Sequence, residues 1–130
     1  MIKCTYGDLD RLRDTPTRPG ALGKLANATE LSIVDRFRIG KLVKAADAEL
    51  ATYQKSVLEL ARKCGEEVRP GNWSMKPEFA GEFAREKAKL DSDTCELPVN
   101  KLPVTAYEKV ELSALDLITL EPFIELPAEY

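Results

Sequence analysis

The sequence predicts an α+β fold that is mainly α: a long antiparallel helical hairpin with a small antiparallel sheet built from the N- and C-terminal segments. Three observations lead there. Apolar or small residues recur at Ile39, Val43, Ala46, Leu50, Tyr53, Val57, Leu60 and Cys64, in alternating steps of four and three. That spacing is the seam of one continuous helix. A shorter pattern of Phe79, Phe83 and Leu90, flanked by Ala80, Ala84 and Ala88, follows a Pro70-Gly71-Asn72 break. Two helices joined this way pack antiparallel. Finally, Ile2, Cys4 and Tyr6 near the start, and Cys95, Leu97 and Val99 later on, alternate with polar residues as half-buried strands do.

Taken in order, the first strand is broken at Gly7-Asp8, where Asp8 suits the cap of a short helix reaching Leu12. Residues 14–20 hold two prolines and a glycine and read as a loop. Ala21 to Ala28 forms a second short helical piece, and Leu31, Ile33 and Val34 run extended into the long helix. Asp35 is read as the N-cap, with Val34 and Ile39 as a hydrophobic staple. Gly65 is read as the left-handed residue that ends the helix after Arg62 and Lys63. Thirty residues at 1.5 Å each give a rod of about 45 Å.

Arg69 to Met75 reads as an open connection of several residues. Pro77 then fits the first turn of the second helix, which ends near Asp91-Ser92-Asp93. At about 15 residues this helix spans roughly 22 Å. It therefore covers only the Leu50–Cys64 half of the seam, leaving Phe37 to Ala46 for the terminal segments or another subunit. Beyond it, Pro98 and Pro103 remove ladder donors, so any strand there is an edge or a broken one. Val104 to Val110 offers a further strand. Ser113 and Asp116 form a capping box for a helix over Ala114–Leu120. Phe123, Ile124 and Leu126 return to the core, as a strand against Ile2–Tyr6 or as packed coil. With 130 residues the chain reads as one domain, 1–130. The hairpin occupies 35–91, and segments 1–34 and 92–130 pack on its base.

Composition narrows the chemistry. The net charge of −3 comes from 19 basic and 22 acidic residues, well mixed, which gives no general pull toward nucleic acid or an anionic membrane. No apolar run approaches the length of a membrane span, and Met1 to Leu12 has no apolar core of a signal segment. Cys4, Cys64 and Cys95 are scattered, with no CxxC, and read as buried, reduced thiols of a cytosolic protein. There is no histidine, no nucleophile elbow and no phosphate loop. The expectation is a non-enzyme with no catalytic residue, no metal and no cofactor.

One constellation stands out. Arg36, Arg38, Lys41 and Lys44 lie in the first turns of the long helix, with Asp35 the sole acid before Asp47. Cations there oppose the helix dipole. The same end suits an anion, since free N–H groups and guanidinium forks stand together. Lys24 and Arg18 could join from the preceding segment. The alternative is a solvated face whose long stems cover the apolar residues beneath. A seam containing Ala, Tyr and Cys is a poor zipper, and Phe37, Leu42 and Leu58 lie off it and widen the apolar face; intramolecular packing combined with a homo-oligomer accounts for both.

The run Phe37-Arg38-Ile39-Gly40-Lys41-Leu42-Val43-Lys44-Ala45, then Glu49-Leu50 and Tyr53, resembles a family of small tailed-bacteriophage and prophage proteins of unknown function. The closing run Leu115-Asp116-Leu117-Ile118-Thr119-Leu120-Glu121-Pro122-Phe123-Ile124-Glu125 is similar to that family's C-terminal motif. Residues 14–20 stand as an insertion, and Ser32 occupies a position where the family has proline. These are packing motifs, so they bear on fold more than on activity. The resemblance implies a small phage accessory protein in the host cytoplasm, capturing a host protein or an anionic small molecule such as a defence signalling nucleotide. The other reading is a minor virion, tail or assembly protein that docks through its hairpin.

Overall fold

The computed structural model describes residues 1–14 and 19–126. The chain opens with strand β1 (Ile2–Thr5), helix α1 (Tyr6–Asp10) and helix α2 (Ala21–Ala26). The long helix α3 (Ile33–Cys64) follows, then strands β2 (Gly65–Arg69) and β3 (Asn72–Met75). A 3-10 turn at Pro77–Phe79 leads into α4 (Ala80–Ser92). Strand β4 (Thr94–Leu97), strand β5 (Leu102–Pro103), helix α5 (Ala114–Leu120) and strand β6 (Ile124–Glu125) complete it.

The helical hairpin is present as predicted. Lys63 pairs with Glu82 at 3.3 Å near one end, and Tyr53 hydrogen-bonds Asp91 near the other. The two helices therefore run antiparallel. At 13 residues α4 spans about 20 Å against about 48 Å for the 32 residues of α3. On the seam, Ile39, Ala46, Leu50, Tyr53 and Cys64 are buried, and Val43, Val57 and Leu60 half-buried.

The rest of α3 is covered by the terminal segments. Ile39, Leu42, Ala46 and Leu50 join Ile2, Leu9, Leu12, Leu22, Leu25, Leu97, Leu120 and Phe123 in one core cluster. In the small antiparallel sheet, β1 pairs with β4. The capping box at Ser113 is formed as read: Asp116 N–H donates to Ser113 Oγ at 3.1 Å, and Ser113 N–H to Asp116 Oδ2 at 3.0 Å.

Six local expectations are corrected. The long helix starts at Ile33, not Asp35, because Ser32 Oγ accepts the Asp35 N–H at 3.1 Å and takes the capping role. Val34 is consequently on the helix and exposed, so it forms no staple. Gly65 is extended (φ −145°), not left-handed. Its glycine is needed for space, since a Cβ would lie 2.5 Å from the Ser74 carbonyl oxygen across the ladder. The open connection after the helix is instead the β2–β3 hairpin, turned at Pro70-Gly71 with Gly71 at φ +82°, the glycine position of a Pro-Gly turn. Val104–Tyr107 is a 3-10 turn, not a strand. Lastly, β6 pairs in parallel with β5, not with β1. Pro103 and Pro122 lack N–H donors, which keeps that ladder short, and β1 meets the C-terminal segment through packing on the 3-10 turn Glu121–Phe123.

Candidate functional site

The predicted basic residues are dispersed by the fold. Arg36, Arg38, Lys41 and Lys44 are all exposed on α3, and among the described residues none of them takes part in an ion pair. Successive helical residues are turned about 100° from one another. Arg36 and Arg38 therefore project on nearly opposite sides of the helix, with Lys44 and Lys41 fanned between them. They form a broad positive collar instead of converging on one point. Arg36 reaches a shallow groove of about 350 Å³ shared with Asn27, Thr29 and Gly40. Arg18 lies outside the described residues.

Lys24 has a different task. Its Nζ sits 2.5 Å from Asp116 Oδ2, and the carboxylate is almost wholly buried. Burial alone would raise the Asp116 pKa. The Lys24 ammonium and the two Ser113 donors outweigh it and hold the carboxyl below its usual range. This pair ties α2 to α5 and draws Lys24 into the framework. The neighbouring groove, about 390 Å³, mixes Lys24 and Lys109 with Glu30 and Glu111, so it has no single sign of charge.

The structure adds a feature that the sequence reading missed. Ile33, Val34 and Phe37 are 74%, 58% and 65% exposed, at the start of the same helix. Lys41 Nζ lies 5.3 Å from the centre of the Phe37 ring, a cation–π contact. The signal was available: Ile33 and Phe37 are four apart and fall opposite the seam. Reading Val34 as a staple and Ile33 as an extended lead-in hides it, because both then precede the helix.

A second polar cluster lies where α1, α3 and α4 meet. The rings of Tyr6 and Tyr53 stack with centres 5.8 Å apart. Tyr6 donates to Glu49 Oε2 at 3.0 Å, and Tyr53 donates to Asp91, which Lys87 also contacts at 3.1 Å. Burial, then the bond to Glu49, pushes the Tyr6 hydroxyl up to about 12, and burial with the Asp91 bond raises Tyr53. Phenols held so firmly in the neutral form act as donors that clamp the junction, not as proton shuttles at neutral pH. Beside them, Trp73 is half-buried and closes a groove of about 270 Å³ with Tyr53, Val57, Leu58 and Ala61.

Among the described residues, no three Cys, Asp or Glu side chains converge as a metal site, and no helix is long and apolar enough to cross a membrane. The chain matches no protein-family model, no curated protein and no solved structure.

Proposed function

We propose that the chain is a non-enzymatic binding protein whose contact surface is the first turns of α3. The observation that carries this reading is the exposure of Ile33, Val34 and Phe37 within the collar of Arg36, Arg38, Lys41 and Lys44. Apolar surface left in water forfeits about 25 cal/mol per Å², and clustered exposure of this kind marks contact sites. An apolar centre with a charged rim is the anatomy of a protein interface. Cations that fan around the helix suit an extended acidic partner better than one small anion. With the sequence resemblance, the partner is a host protein and the chain a phage accessory protein of the host cytoplasm.

A homo-oligomer using this same surface would set like charges against each other. Self-association therefore belongs on another face. The reading as a minor virion or assembly protein draws on the β2–β3 hairpin at the far end, where Val68 is exposed.

Native mass spectrometry of the full chain, recovered from the cells that produce it, tests the proposal. The expected spectrum shows an added protein mass, with affinity reduced tenfold or more by Phe37→Ala and by the pair Arg36→Glu, Arg38→Glu, and weakened by salt. Retention of that partner by the combined variant overturns the surface assignment. A spectrum holding only multiples of 14.5 kDa overturns the binding function. A bound mass of small-molecule size, lost on charge reversal and kept by Phe37→Ala, transfers the site to an anionic ligand.

A further inference from the structure

The three cysteines read from sequence as separate buried thiols, yet the fold brings two together. Cys4 on β1 and Cys95 on β4 are direct partners in the ladder, 91 positions apart, with sulfur atoms 3.6 Å from each other. Cys4 is buried, Cys95 is half-buried, and Cys64 is sealed in the hairpin on α3. We propose that Cys4 and Cys95 are a modification site: a dithiol that a small-molecule disulfide converts, reversibly and within the folded chain, into a cross-strand bond stapling β1 to β4.

The geometry favours the bond and limits its strength. Tyr6 N–H donates to the Asp93 carbonyl at 3.0 Å. Continuing the β1–β4 register makes Tyr6–Asp93 a hydrogen-bonded pair, and by alternation Cys4–Cys95 is one too. Such pairs have Cα atoms about 5.5 Å apart, inside the range that a disulfide spans, but wider at Cβ than a relaxed disulfide prefers. Closing the bond draws the strands together, and a bond under that tension is the more easily reduced.

Accessibility orders the steps. Burial and then the neighbouring thiol push Cys4 up to about 12, and burial also raises Cys95. Cys95, the more exposed, attacks oxidised glutathione as the thiolate. One glutathione thiolate leaves, and the proton that Cys95 gave up returns to it through solvent. Cys4 then attacks the Cys95 sulfur and expels the second glutathione, which gains the Cys4 proton. One S–S bond breaks and one forms. Two protein thiols lose two electrons and two protons, and the glutathione disulfide becomes two thiols.

The test equilibrates the native full chain in glutathione buffers from reducing to oxidising, then blocks remaining thiols. Non-reducing peptide mapping is expected to show Cys4 joined to Cys95, an intact mass before blocking lower by about 2 Da, and reversal on return to excess thiol. Loop closure over 91 residues is expected to raise the Tm by at least about 5 °C despite the tension. Cys95→Ser, at a half-buried position, is expected to show neither the mass change nor the rise. The proposal is overturned by a Cys95–glutathione adduct that accumulates unresolved. It is overturned equally by a link that appears only in urea, by a pair involving Cys64, or by a link that leaves Tm unchanged or lower.

Discussion

Ile39, Leu42, Ala46 and Leu50, on the first half of α3, are enclosed by strands and helices from both ends of the chain. Tyr53, Ala61 and Cys64, on the second half, are also buried. Yet they lie outside that cluster: Tyr53 stacks on Tyr6 at the junction, and beyond it the cover is a helix with no buried residue and a largely exposed β-hairpin. One helix thus serves as the spine of a core and as the inner strut of a thin two-helix arm. Stability therefore resides in contacts far apart in sequence at the base, and in shorter-range pairings at the arm.

The largest expected effect compares two phenylalanines. Phe123 is fully buried at the base and Phe83 half-buried on α4. Phe123→Ala is expected to cost about 3–5 kcal/mol in urea unfolding and Phe83→Ala about 1–2 kcal/mol. Equal costs would erase the distinction between core and arm.

Next comes the base's buried ion pair. Asp116→Asn leaves Lys24 without its partner, and the expected loss at pH 7 is about 2 kcal/mol, less than for a fully buried pair because Lys24 is partly open to water. The folded Asp116 pKa is depressed, so its contribution is present above the ordinary carboxylate value near 4 and is lost as pH falls through the folded value. Unfolding curves of the two proteins should therefore converge in acid. A gap that persists unchanged at low pH removes the ion pair as its cause.

The smallest effect belongs to the arm. Gly65→Ala forces a Cβ against the Ser74 carbonyl and is expected to cost about 1–2 kcal/mol. Amide exchange should quicken in residues 65–75 and stay unchanged in β1 and β4. Faster exchange throughout would make arm and base one cooperative unit.

These contrasts also mark what the sequence disclosed. The seam from Ile39 to Cys64 and the Ser113–Asp116 box were legible because they depend on spacings within a few residues. Asp35 has the chemistry of a cap, but the helix extends back to Ile33 and Ser32 takes that role. The strand Gly65–Arg69 carries Glu66, Glu67 and Arg69 with no apolar alternation, so it left no strand signal. Arg36 and Arg38, two apart on a helix, already imply nearly opposite directions. The placement of Ile33 and Phe37 opposite the seam was legible from spacing, but their exposure depends on which distant segments fail to reach them. The Cys4–Cys95 register was hidden for the same reason.

That register has a consequence for synthesis. Strand β1 occupies Ile2–Thr5 and its partner ends at Leu97. At translation rates of about 5–20 residues per second, β1 waits roughly 5–20 s before its partner strand exists. During that interval its unpaired N–H and C=O groups are open to any passing strand. Ile2–Thr5 are thus secured only after Thr94–Leu97 have been made.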